Sequence, residues 1–266
     1  MKQVSTMHFA RWMATDELSA AEGCFIEDTP DLPDTLGQVS VATGSGDEAR
    51  VGELLARGAA RVLVGDLALR DSAAVERLAG LHGADRIGIW VRAVRGEISW
   101  TLAEKAPNAG FKCMQPSIGQ PGWDVLMTDG SATGTDAEWW IGQMLGKGIS
   151  MALISVDLQD EDMNICATLL LEHGAALWFS PLHEPDADLE PWVHWGQVRQ
   201  LVLPLRDTRD EAELARIAAT AVALVKEQDE DGGAAQDDGL QIGADTDGAI
   251  DKLARSSAAL PSEALS

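Results

Sequence analysis

The chain has 266 residues, 45% of them apolar, and a formal net charge of −23. That length and apolar content suit one large domain, while the acidic excess repels phosphate backbones and, with no Lys/Arg cluster to override it, argues against a nucleic-acid partner. No apolar run reaches the roughly 18 residues of a membrane span, and residues 1–10 carry one Lys and no apolar stretch of a secretory leader, so a cytoplasmic protein without a membrane partner is expected.

The three cysteines, Cys24, Cys113 and Cys166, stand far apart, with no C-x-x-C and no H-x-x-x-H pair. Neither a disulfide framework nor a structural zinc site is supported, and reduced core thiols are expected. No metal and no other cofactor is expected. Tyr is absent, so no phenol can serve in a mechanism, and nine Trp carry most of the aromatic burial.

Read in chain order, short apolar runs alternate with amphipathic stretches. Residues 4–9 can form a first strand. Val39-Ser40-Val41-Ala42 is the next run, followed by a helix over 48–57 with Val51, Leu54 and Leu55 on one face. Val62-Leu63-Val64 precedes a helix over 72–82 with Val75, Leu78 and Leu81 spaced as its apolar stripe. Ile87 to Val91, Val125-Leu126-Met127, Met151 to Val156, Ala176 to Phe179 and Leu201-Val202-Leu203 are further strand runs. Helical patterns fill 136–145, 160–173 and 210–226. Near Glu227 the composition turns to Asp, Gly, Ala and Ser with no aromatic residue. Such a segment buries too little apolar surface to offset its ordering entropy. The expectation is a barrel domain over 1–227 and a disordered acidic tail over 228–266, with a short helix near 250–255.

Strands alternating with helices of this length signal parallel βαβ units, and near-continuous apolar strands fit a sheet covered on both faces. Eight such strands predict an α/β protein with a (βα)8 TIM barrel. An open doubly wound sheet is the alternative, because periodicity does not report closure.

Residues 37–100 carry a resemblance. GAARVLVGDLALRD (58–71) and GADRIGIWVRAVRGEISW (83–100) are similar to the strand–helix and strand–hairpin units of the phosphoribosyl isomerases and cyclases of histidine biosynthesis, the HisA/HisF family. VLMTDGSATGTD (125–136) resembles that family's sixth-strand segment. The resemblance spans roughly residues 37–180, is clearest over 58–100, and implies a barrel with an active site at the C-terminal strand ends. The departures are as specific. The third-strand match begins so near the N-terminus that two βα units do not fit before it, and no first-strand acid/base Asp is found. The fifth-strand Asp falls at Arg92 or Ala93. The third-strand glycine–arginine turn reads Thr43-Gly44-Ser45-Gly46-Asp47. The phosphate-holding turns read Val156-Asp157-Leu158-Gln159 and Ser180-Pro181-Leu182-His183, and neither looks like an anion cradle. If the family's first strand is lost, Leu201-Val202-Leu203 is an added C-terminal strand that closes an atypical barrel by pairing with the N-terminal one.

Reading the strand ends gives Arg11, Thr43, Gly44, Asp66, Arg92, Asp129, Asp157, His183 and Arg206 on one rim. Asp129 and Asp66 are the candidate general acid and base, each with a helix-cap or turn role as the plain alternative. Arg92 is a charged side chain at a barrel strand end, which needs an anion or an acidic partner; Arg11 and Arg206 extend that thought. Thr43 and Gly44 open a turn whose N–H groups can face an anion. Asp157 stands where a phosphate turn would lie, and His183 sits in a stiff Pro-flanked loop beside Glu184. In the Trp139-Trp140 pair one indole must leave the core face, which marks a protein-contact surface, as does the acidic tail.

By the resemblance, the chain acts on a small phosphorylated metabolite by isomerase-type acid/base chemistry, in a biosynthetic setting such as a one-carbon cofactor pathway. The competing expectation is a non-catalytic HisA-like subunit or scaffold that has lost the catalytic acids and phosphate loops.

Overall fold

Eight parallel strands close into a ring. They are β1 (His8–Trp12), β2 (Cys24–Glu27), β3 (Ser40–Thr43), β4 (Arg61–Val64), β5 (Ile87–Arg95), β10 (Ala152–Ser155), β11 (Leu177–Ser180) and β12 (Gln200–Leu203). Between β5 and β10 the chain adds β6 (Lys105–Asn108), β7 (Phe111–Cys113), β8 (Trp123–Leu126) and β9 (Ala132–Asp136), all antiparallel. The computed structural model describes residues 6–17, 23–96, 105–108, 111–113 and 122–221; the tail expected over 228–266 lies outside them.

Alternation along each strand sorts side chains into two environments. Val41, Val62, Val64, Ile89, Val91, Ile154 and Leu201 face outward into the layer shared with the helices. Ala10, Phe25, Ala42, Leu63, Leu153 and Val202 face inward with Trp12, Trp90 and Trp178. Inside, Trp12 lies 5.8 Å from Phe25 and 5.7 Å from Trp90, and Phe25 lies 5.8 Å from Trp178, all in tilted or edge-on geometry. Fully burying one such aliphatic or aromatic side chain contributes about 1.5–3 kcal/mol, so the barrel is filled rather than hollow. Gly88 makes room for this filling: a Cβ there would stand 2.8 Å from the Met151 carbonyl and collide with Leu63.

Helices α1 (Glu48–Ala56), α3 (Ser72–His82), α4 (Ala137–Leu145) and α5 (Met163–His173) fall where periodicity predicts them. Asp47, Asp71 and Asp136 cap the first three, each accepting a backbone N–H. α1 buries Val51, Leu54 and Leu55 as expected, whereas Leu81 of α3 is 75% exposed, because a residue six positions from Val75 has rotated off the buried face. The short helices α2 (Asp66–Arg70) and α6 (Leu189–His194) are additional. The last helix runs over 211–221 in the described residues.

The structure corrects three expectations, two of them in the N-terminal quarter. The first strand is His8–Trp12 rather than residues 4–9. A stave at Cys24–Glu27, absent from the sequence reading, stands between it and β3, so two staves rather than one precede β3. Two strands fit before β3 because the described residues there hold no α-helix. The described residues between β1 and β2 hold a single 3-10 turn, Thr15–Glu17, and those between β2 and β3 hold no helix. The third correction is Val125 to Met127. It is not a stave: β8 pairs antiparallel with the outer half of β5, Arg92 opposite Leu126. The sixth stave is β10, which pairs with β5 through Ser155 opposite Arg92. The closure by β12 is as expected, with His8 opposite Gln200 and Arg11 opposite Leu203.

Candidate functional site

The inward alternation ends at the C-terminal rim on Trp12, Glu27, Gly44, Arg92 and Ser155, and these residues line a cavity of about 760 Å3 at the barrel mouth. That size falls in the range of small-molecule sites. Trp12 and Trp90 form its aromatic part. Their indole N–H groups donate to Ser180 Oγ at 3.0 Å and Ser155 Oγ at 2.9 Å, which fixes both rings. Met13, Thr15, Asp28, Thr29, Asp31 and Ser45 line the side built from the segments that follow β1, β2 and β3.

Arg92 is the basic residue of this lining among the described residues. Its guanidinium carbon stands 5.7 Å from the Trp90 ring centroid, and Nη1 donates to the Thr128 carbonyl at 2.6 Å. The buried Nε has no acceptor, and Arg92 forms no ion pair among the described residues. A guanidinium charge held in place with no carboxylate to answer it fits an anion-holding role.

Asp66 lies behind Arg92 rather than in the cavity. Only 4% exposed, it opens α2 and accepts from Thr128 N at 2.8 Å and Thr128 Oγ1 at 2.9 Å, with Arg70 at 3.2 Å. It thereby anchors the β8–β9 turn whose carbonyl holds Arg92. Gly44 lets that turn close on the rim: a Cβ there would stand 2.6 Å from Thr128 Cγ2. Thr43 is buried and donates to the Leu63 carbonyl at 3.3 Å, away from the cavity.

Asp129 occupies the exposed turn itself. It accepts from Ser131 Oγ at 2.6 Å and Ser131 N at 2.9 Å, bonds that hold its carboxyl below the usual carboxylate range. Gly130 follows in the left-handed region, φ 83°. This is an Asx turn, outside the cavity lining. Arg11 points outward and binds the 207–209 loop, with Nη2 donating to the Arg209 carbonyl at 3.2 Å. Arg206 is exposed and outside the lining.

Asp157 and His183 meet. The Asp157 carboxylate accepts from Leu182 N at 2.8 Å, His183 N at 2.9 Å and Glu184 N at 3.3 Å, and His183 Nδ1 lies 2.8 Å from Oδ2. Burial raises the Asp157 pKa, but these donors outweigh it and hold the group below its ordinary value. An ionised partner requires the His183 proton on Nδ1. The loop after β11 therefore does form an anion cradle, contrary to its sequence appearance, and the protein's own carboxylate fills it.

Trp140 is buried and Trp139 is 36% exposed, so one indole does leave the core face. Cys24 and Cys166 are buried free thiols whose pKa values burial raises, which suits core residues. Among the described residues no cluster of His, Cys, Asp or Glu is arranged to hold a metal, and no helix is long and apolar enough to cross a membrane.

Trp12, Trp90 and Glu27 are the cavity residues that sequence reasoning missed. The signal was available in part: Trp12 and Trp90 each end or interrupt an apolar run, and period-two alternation from Ala10 and Gly88 places both inside. Glu27 has no hydrogen-bond or ion-pair partner among the described residues. No family model matches the chain, and no curated protein matches it. What the architecture shows is a closed eight-stranded parallel α/β barrel with an antiparallel extension at its rim.

Proposed function

We propose that this protein is a HisA-like barrel that acts on a small metabolite at its C-terminal mouth, with Arg92 holding an anionic group and Glu27 as the acid/base. The single observation that carries the reading is Arg92, fixed on Trp90 and Thr128 with no carboxylate partner among the described residues, in the lining of a ligand-sized cavity. Glu27 supports it as an inward carboxylate of the lining with no partner among the described residues, open to exchange a proton with a ligand. The motifs at 58–100 support isomerase-type chemistry.

The second reading, a barrel that binds its ligand without turning it over, is favoured by the engagement of Asp66 and Asp129 in holding the β8–β9 turn. A thermal-shift panel of sugar phosphates, amino acids and carboxylates tests both. At a ligand concentration of about 100 Kd, binding adds about 2.7 kcal/mol, a rise of several degrees for a domain of this size. A compound that stabilises the native chain and Asp129→Asn but not Arg92→Met supports the site. Solvent deuterium incorporation into that compound, abolished by Glu27→Gln, supports catalysis; binding without incorporation favours the second reading. Stabilisation that survives both Arg92→Met and Glu27→Gln overturns the site assignment.

A further inference from the structure

The charge pattern of the mouth specifies its ligand more narrowly, given that the mouth is the binding site. Four ionisable side chains line the cavity among the described residues: Glu27, Asp28, Asp31 and Arg92. Arg50 answers Asp28, with Nη2 donating at 2.6 Å and Nε at 3.1 Å. Glu27 and Asp31 are answered by no side chain among the described residues. Two unanswered carboxylates thus share the cavity lining with one guanidinium that no carboxylate answers.

A phosphate ester carries about −1.5 to −2 charges near neutral pH. It would enter a cavity that is already net negative, in a protein of charge −23. The backbone N–H groups of the 182–184 loop, which could have offset this, are engaged by Asp157. A simple cation meets the carboxylates but must also lie beside the Arg92 charge. A molecule with one carboxylate and one ammonium group answers both: its carboxylate accepts from Arg92 and its ammonium donates to Glu27 or Asp31. Its apolar or flat middle lies against Trp12 and Trp90. Glu27 on β2 and Arg92 on β5 are separated around the rim by β3 and β4, so the two charged ends of one ligand reach different staves.

We propose that the barrel mouth selects a zwitterionic, amino-bearing carboxylate with an apolar or planar middle, in preference to a phosphate ester. Four probes on one para-substituted benzene skeleton test this by NMR: 4-(aminomethyl)benzoate, 4-methylbenzoate, 4-methylbenzylammonium and 4-methylphenyl phosphate. The indole N–H resonances of Trp12 and Trp90, assigned with Trp12→Phe and Trp90→Phe, report occupancy. The expected result is movement of both indoles with a Kd for 4-(aminomethyl)benzoate at least tenfold below that of each other probe. Arg92→Met then removes its advantage over the amine, and Glu27→Gln reduces its advantage over the carboxylate. 4-Methylphenyl phosphate binding as tightly as 4-(aminomethyl)benzoate at these indoles overturns the inference and leaves the mouth as the site. The amine binding as tightly as 4-(aminomethyl)benzoate does the same. Neither indole moving with any probe at millimolar concentration overturns the inference together with the site.

Discussion

Two places on the same rim handle a negative charge in opposite ways. At the loop after β11, three backbone N–H groups and His183 converge on Asp157, so the donors are consumed within the protein. At the end of β5, Arg92 is held by Trp90 and the Thr128 carbonyl, and its buried Nε is left without an acceptor. The first arrangement fixes a loop; the second leaves capacity for a ligand. On the proposed reading, an anionic ligand group would meet a side chain on β5 rather than the backbone N–H groups after β11.

The change with the largest expected effect on this contrast is Asp66→Ala. It strands the N–H and hydroxyl of Thr128 and removes an acid that is 4% exposed. A loss of about 2–3 kcal/mol in urea unfolding is expected, and ligand affinity falls with it because the Thr128 carbonyl no longer fixes Arg92. A stable Asp66→Ala with native affinity would separate the turn from the site.

Asp157→Ala is next, at about 1–3 kcal/mol. It also empties the cradle, so inorganic phosphate should shift the Leu182, His183 and Glu184 amides in this variant and leave them still in the native chain. The pH dependence follows from the sign. The folded Asp157 pKa lies below its ordinary value, so the folded state favours the ionised form. That stabilisation is present above the unfolded pKa of about 3.9 and is lost as pH falls through the folded value. Acid titration of stability should therefore be shallower below about pH 4 in Asp157→Asn than in the native chain.

Gly44→Ala should cost about 1–3 kcal/mol by overpacking against Thr128, where the added Cβ would stand 2.6 Å from Cγ2. The smallest effect on stability is Arg92→Met, within about 0.5 kcal/mol, since the lost hydrogen bond is balanced by removal of a buried donor without an acceptor. Its effect is on binding alone, and a large stability loss would recast Arg92 as structural.

Much of the ring was legible locally. Val51, Leu54 and Leu55 announce α1, and the pairing of β12 with β1 was reached because one missed stave and one miscounted strand cancel in the count of eight. The stave at Cys24–Glu27 was not, because its apolar run is only Cys24-Phe25-Ile26 and no helix precedes or follows it closely in the described residues. Val125 to Met127 misled for the converse reason: an apolar run records burial, and β8 is buried against β5 outside the ring. Arg92 was readable as an anomaly, a charge in an apolar strand. The destination of Asp157, a loop 25 residues onward, and of Asp66, a turn 62 residues onward, are tertiary contacts with no trace in local spacing.

The most direct test of the contrast is one titration of the native chain with 3-phenylpropionate, following the side-chain Nε–H of Arg92, the Trp90 indole and the backbone amide of His183 by NMR. The account predicts that Arg92 and Trp90 move together on one isotherm while His183 stays fixed. Movement of His183 with Arg92 unmoved would place the anion at the loop after β11 and contradict it.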